Sequence, residues 1–582
     1  MPFLCILETQ QEQSDERRFF LTNEEKGGYY AVKNVQKQVK KVESHQMKRI
    51  RFGNIKKKHY LCGRNQFHIA MDRTVTPKRI VAVKRLVLVC ALTVCSLCGR
   101  AEVPGFTNPI LPYDYSDPDV CRVGNTYLMT SSSFNNVPGL QILASMDLVH
   151  WEIVDAAIRY RLPGYREGDK LTGNFVWAPS IREHDGQLYI FYGDPDRGIY
   201  CIRADISKGL HFPLEWKDPV LVIPAKGYID PCPLWDEDGR VWLCHGVAGS
   251  RFGLKSVLMM AELTEDALSV KVPSRIIFDG HAEHPTCEGP KMYKRNGWYY
   301  IMHPAGGVKP GWQVVQRSRT IYGPYELKVT LAQGKTAING PHQGGWVETP
   351  DGESWFLHFQ DVGGAGRIVH MQPMRWVDDW PVMGNNGEPV ASYGKPKKGT
   401  KTWGNFMRRD EFDSTELRMD WQFAGGRISP RWYFCDAAQS LLRLYSTPAE
   451  EELMPNMLLQ KIPAVAFKAT ARVRFMPNKD KKMAGAERAG MVVFGRKSFY
   501  VEPPVLDAWC YLKLEMNEKQ QGQFFTSMDG KHWTKAGEMF QAVEGHWIGA
   551  QVGLFCSRDD RRFNDAGWMD VDWFEVSALP QP

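Results

Sequence analysis

Between residues 102 and 392 the chain is written in short apolar runs rich in Val, Ile, Tyr and Trp, broken at close intervals by turn residues. Runs of this kind, bounded by Gly, Asn and Asp, predict β-strands joined by hairpins. Asp185-Gly186, Asp238-Gly239, Asn296-Gly297 and Asp351-Gly352 are dipeptides that tolerate the positive φ of tight hairpin turns. No stretch of helical period interrupts the pattern. One phrase recurs: a head residue, usually with a proline beside it, then a turn glycine and a hydrophobic strand. Ser116-Asp117-Pro118-Asp119 leads to Gly124, Trp177-Ala178-Pro179-Ser180 to Gly186, and Ile229-Asp230-Pro231-Cys232 to Gly239. Glu288-Gly289-Pro290-Lys291 leads to Gly297, and Pro341-His342-Gln343-Gly344 to Gly352.

These glycines lie 53 to 62 residues apart. A strand-turn-strand unit repeating at about 40–50 residues or a little more predicts the radial blades of a propeller, and five copies predict five blades. Equivalent heads then meet near one axis. They are Asp117, Ala178, Asp230, Glu288 and His342. Ser145 to Trp151 is placed at the outer edge of the first blade, with Trp151 packing between blades.

The Pro, Gly and Lys residues of 393–404 read as a linker. Beyond it the phrasing changes to strands of alternating apolar and polar residues, clearest in Phe467–Phe475 and Trp568–Val576. Residues 405–582 are therefore read as a second domain, a β-sandwich with one face of each sheet buried. Asp529-Gly530-Lys531-His532-Trp533 is a hairpin tip within it. The fold class is all-β throughout.

Composition changes the picture mainly at the N-terminus. The chain carries 73 Lys and Arg against 66 Asp and Glu, but residues 1–85 alone hold 19 against 8, which leaves 54 against 58 for the rest. The basicity belongs to the leader. No basic stripe interleaved with aromatics follows it, so nucleic acid is excluded as a partner. Lys84-Arg85, the apolar run Leu86–Cys98 and the small residues Gly99 and Ala101 form a secretory signal over about 71–101. The run is too short for stable membrane insertion. Met71 is the expected start, with residues 1–70 outside the folded protein; the other reading is a basic extension followed by a membrane anchor. Export to the periplasm or the exterior follows. Eight of the 13 Cys lie beyond the leader without metal-type pairing, and scattered strand cysteines behave as small buried apolar residues.

Asp117, Asp230 and Glu288 on one axis fit glycoside hydrolysis. That chemistry needs one carboxylic acid to protonate the leaving oxygen and one carboxylate to activate water on the opposite face. A third can tune and hold the acid, which must stay protonated near neutral pH. A divalent metal site is the rival for three carboxylates and a histidine, but no local ligand spacing supports it. On their own, Trp177 reads as inter-blade packing, and Arg367 equally as an ion-pair partner or a ligand group.

Asn108-Pro109-Ile110-Leu111 before Asp117-Pro118-Asp119, then Trp177-Ala178-Pro179, Ile229-Asp230-Pro231, Glu288-Gly289-Pro290 and Gly366-Arg367, resemble glycoside hydrolase family 43. Ser132-Ser133-Phe134 and Asp147-Leu148-Val149-His150-Trp151 add to the likeness. The resemblance covers 105–392 and extends more weakly over 405–580. It implies a five-bladed β-propeller of residues 102–392 followed by a concanavalin-like sandwich. It also implies an inverting β-xylosidase or α-L-arabinofuranosidase acting on oligosaccharide or polysaccharide. Asp117 is then the general base, Asp230 the pKa modulator and Glu288 the general acid. Arg367 bonds a sugar hydroxyl, and Trp177 and Phe134 wall the sugar site. His342 matches a position that in many members helps hold a structural calcium ion through water, although calcium prefers oxygen ligands; no cofactor is required for catalysis. Other readings stay open: a non-catalytic carbohydrate-binding propeller, a lyase or transferase, or a glycosidase of endo-arabinanase or galactanase type.

Overall fold

The computed structural model describes residues 6–8, 105–396, 409–448, 457–483, 485–559 and 565–579. The signal sequence and residues 397–404 of the linker lie outside them. Strand dominates the described residues; helix is confined to the four residues Gly249–Phe252 and to two single 3₁₀ turns.

Five four-stranded antiparallel sheets follow one another along the chain, and each takes its strands in sequence order. The innermost strands are Asp119–Val123, Trp177–His184, Tyr228–Trp235, Lys291–Arg295 and His342–Glu348. This is the five-bladed propeller that the glycine spacing predicts. All five turn glycines, 124, 186, 239, 297 and 352, have positive φ. Asp185 and Asn296 share it, which closes two-residue hairpins between His184 and Gln187 and between Arg295 and Trp298. Trp151 is buried in a cluster with Leu143 of the first blade and with Trp355 and Met371 of the fifth. Every blade is built from consecutive strands, so no strand is exchanged across the closure. The ring closes instead through Gly105–Thr107 paired with Ser392–Gly394, the bridge Leu111–Val369, and Asn108 Nδ2 donating to the carbonyls of Met371 and Val390, both at 2.8 Å. Tyr393 and Gly394, read from sequence as the start of the linker, thus belong to the closing strand.

The second domain is a sandwich of two seven-stranded sheets. Phe467–Met476 alternates buried and part-exposed without a fault. Trp568–Ala578 does not: a bulge opposite Arg472 and Val473 inserts Asp572, so the core-facing set steps from Val571 to Phe574. Leu458, Met491, Val493, Val552 and Leu554 of one sheet meet Ala469, Ala471, Leu512 and Leu514 of the other in a single core. Ile6–Glu8 lies antiparallel beside Lys497–Phe499 at one sheet edge. The hairpin tip at Asp529 holds His532 by an ion pair of 2.7 Å in the open. All eight cysteines of the described residues are free and buried.

One further repeat inside the blades stands six residues after the turn glycines Gly239, Gly297 and Gly352. His245, His303 and His358 occupy the second strands of blades three, four and five, each buried, with Nδ1 3.0 Å from the following carbonyl. Nε2 meets Ser274, Gln316 and Gln372 respectively. Burial lowers all three pKa values to about 4. The unfolded chain, with His near 6.5, binds these protons first, so the stability they contribute is full above pH 6.5 and is lost as pH falls toward 4. The stability gap between wild type and His303→Gln should be widest at pH 8 and shrink steadily to pH 4.5, as read by thermal scans; a constant gap would refute this.

Candidate active site

The head residues are aimed at the axis by backbone that leaves the strand conformation. Asp117 and Asp230 have φ of 55° and 57°, Gly289 after Glu288 has 57°, and Gln343 after His342 has 30°. Register shifts mark the heads of blades two, three and five. A bulge or a left-handed residue at the rim of a sheet re-aims a side chain, and Asp tolerates that region better than most residues. Gly289 is required twice over, because a Cβ there would also lie 2.1 Å from the Gln343 side chain.

Asp117, Ala178, Asp230, Glu288 and His342 line one pocket of about 450 Å³ including its mouth, together with Phe134, Trp177, Ile229, Val308, Gln343, Arg367 and Trp547. Every site residue expected from sequence is there. Asp117 accepts from Ser132 Oγ at 2.5 Å and from Arg367 Nη1 at 3.4 Å. Asp230 accepts from the Gly289 N–H at 2.8 Å. Burial first, then the charges of Glu288 and Asp117, push Asp230 well above the ordinary carboxylate range. Glu288 is the more open of the neighbouring pair, with 31% of its side chain exposed. Below them Asp119 is fixed by the Ile181 N–H at 2.8 Å and Arg182 at 2.5 Å, and Lys291 donates to the Pro179 carbonyl at 3.0 Å.

His342 Nε2 lies 3.3 Å from Glu288 Oε1, yet neither ring nitrogen has a hydrogen bond of good geometry. Calcium takes six to eight oxygens. Among the described residues no three His, Cys, Asp or Glu side chains converge as a ligand set. The orphaned imidazole fits a bound water, so an ion here would reach His342 only through its own water.

Sequence reasoning missed the wall that comes from the sandwich. Trp547, flanked by Gly545 and Gly549, sits at φ 67° with its ring 6.3 Å from Trp177, edge to face, and 5.9 Å from the Arg367 guanidinium. Its carbonyl accepts from Ser116 Oγ at 3.2 Å. The glycines around an exposed Trp were the one available signal. Asp114 was also missed. Its buried carboxylate accepts the N–H groups of Arg367, at 2.7 Å, and of Gly549, and Gly366 (φ 82°) leaves it room where a Cβ would lie 2.5 Å away. The buried ammonium of Lys461, from the sandwich, donates to the Asp114 carbonyl at 2.7 Å. One acid thus ties together the base segment, the Arg367 loop and the second domain.

The model of glycosyl hydrolases family 43 matches residues 106–381, and that of the beta xylosidase C-terminal concanavalin A-like domain matches 409–505 and 500–577. A Xylanibacter ruminicola protein named as a beta-xylosidase is 35% identical over 459 residues, 75% of this chain and 84% of its own length. A non-reducing end alpha-L-arabinofuranosidase of Bacteroides ovatus is 28% identical over 529 residues, 81% of this chain and 95% of its own. The solved structure of a Bacillus licheniformis family 43 protein superposes with a TM-score of 0.69 at 24% identity, over 82% of this chain and 100% of that one.

Removing one member of a buried charged pair strands the other at a cost of about 3–5 kcal/mol. Asp114→Ala should therefore lower unfolding stability by about 3 kcal/mol, and adding Lys461→Met should restore part of the loss, as measured by denaturant titration. Strict additivity of the two changes would be evidence against the pairing.

Proposed function

The chain belongs to glycoside hydrolase family 43, and from that premise we propose that it is an exported, inverting, exo-acting enzyme. It releases terminal pentoses, β-D-xylose or α-L-arabinofuranose, from plant polysaccharide fragments. One observation carries the reading: three carboxylates and one guanidinium from separate blades converge in a pocket walled by Phe134, Trp177 and Trp547. Closure of one side by Trp547 favours a site for a chain end over a groove that admits a chain interior. Relatives of the chain bear the names of both pentosidase activities.

Asp117 draws the proton from a water that attacks the anomeric carbon, and Ser132 and Arg367 hold its two oxygens. Glu288 gives a proton to the leaving oxygen, the role its more open position allows. Asp230, held by the Gly289 N–H, keeps a proton within the carboxylate cluster and sets the orientation of Glu288. Inversion requires two carboxyl groups on opposite faces of the sugar with space for that water. Arg367 bonds a ring hydroxyl through its planar fork. Calcium, where held through water near His342, would supply positive charge close to the carboxylates; each step above rests on side chains alone. The leader over 71–101 supports export.

The test is hydrolysis of aryl β-D-xyloside and aryl α-L-arabinofuranoside, with the first-formed anomer followed by NMR. Glu288→Ala should lower kcat by at least about 10³-fold, within the range for loss of an essential group. Folded wild-type protein inactive on both substrates, or a product of retained configuration, would sink the reading. Trp547→Ala should raise KM about tenfold while changing kcat less, since stacking acts alike on ground and transition states.

A further inference from the structure

The sandwich has one sheet turned toward the propeller: its Leu459, Val492 and Phe555 cluster packs with Leu171. Among the described residues no strand or helix packs on the outer side of the other sheet, and that side does not read as an ordinary polar face. Register places Phe434, Arg443, Asp570 and Arg474 side by side in one row across four strands. Trp573, Arg472 and Tyr511 form the next row. Further along, Lys513 lies opposite Phe525. With Trp568 and Trp509 at the strand ends, six aromatic rings share the face that points away from the core. Phe434 is 52% exposed.

Cations stack on these rings instead of reaching into solvent. Arg443 lies 4.9 Å from the Trp568 ring, Arg472 and Arg474 lie 4.8 and 4.9 Å from Trp509, and Arg409 lies 3.8 Å from Trp573. Each is also tied to a carboxylate, of which Asp570 is fully buried. Arg443 and Arg474 both reach Asp570 at 2.7 Å, Arg472 reaches Asp572 at 2.8 Å, Arg409 reaches Glu411 at 2.6 Å, and Lys513 reaches Glu515 at 2.7 Å.

We infer that this outer face is a second carbohydrate-binding surface, and that its ligand is a neutral polysaccharide of the class the pocket trims. The ligand class rests on the proposed function; the surface itself does not. Two features select this occupant. Rings with an apolar body suit the C–H faces of sugars, and fixed guanidinium and carboxylate groups suit their hydroxyls. Five cations are set against four carboxylates, Asp570 serving two of them, which leaves no free basic stripe for a polyanion, a ligand that binds by neutralising its charges with Lys and Arg. A row crossing four strands spans about 14 Å at the usual strand spacing. That is room for an oligosaccharide segment, whereas the pocket takes one terminal sugar.

Native electrophoresis of the full-length protein through gels containing arabinoxylan, debranched arabinan, or no polysaccharide tests the inference. At least one neutral polymer should retard the wild type. The Trp573→Ala/Trp509→Ala double variant should lose that retardation while hydrolysing aryl glycosides within about twofold of wild type. Phe434→Ser, a change at a surface side chain with little risk to folding, should weaken the retardation. Four results would overturn the inference: no retardation by either polymer, retardation unchanged in the variants, retention only by a polyanion such as heparin, or a wild-type dimer that the double variant dissolves. Loss of aryl-glycoside turnover by wild type with retardation intact would overturn the proposed reaction and leave the binding face standing.

Discussion

Everything at the centre of this molecule depends on holding like charges together away from water. Asp117, Asp230 and Glu288 line one pocket with Arg367 as the cation in direct contact with Asp117, and the charges of Glu288 and Asp117 add to burial in disfavouring the ionisation of Asp230. Such a cluster does not assemble by preference. It persists because the surrounding backbone over-determines it, through two aspartates in the left-handed region, a glycine that admits no side chain, and bulges at three of five strand heads. The same constraint pushes Asp230 well above the ordinary carboxylate range.

The fold was legible because its period is made of turn chemistry, which is local. Gly124, Gly186, Gly239, Gly297 and Gly352 each mark a hairpin on their own, and their spacing required no knowledge of distant contacts. The site heads were legible for the same reason, since they stand seven to ten residues before the turn glycine of each repeat. What stayed hidden depends on tertiary neighbours. Nothing near Asp114 in sequence distinguishes it from a turn residue; its role comes from Arg367, 253 positions away, and from Lys461, 347 positions away. The three buried histidines stand six residues after Gly239, Gly297 and Gly352, so their period lies in the sequence, whereas their partners Ser274, Gln316 and Gln372 come from other strands. The bulge at Asp572 breaks an alternation that sequence alone presents as regular.

The second domain is more than an appendage to the first. Trp547 forms part of the pocket wall, and the Asp114 hub joins its loop to the segment that carries Asp117. Because a positive φ is costly for a side chain as large as Trp, the loop 545–549 reads as shaped for its place against the propeller.

The absence of an exchanged strand has a mechanical meaning. A ring of blades cut between the first and the last can spring open there, and the direct pairing across that cut is short. The sandwich lies over the cut. It grips the first blade through Phe423 against Val137 and Gln422 on the Pro138 carbonyl at 2.7 Å, and the fifth through Ala550 on Gly364 at 2.8 Å and Gln520 on Val362 at 2.7 Å. It therefore acts as a clasp bearing hoop load, so that the roundness of the catalytic ring is maintained from outside it.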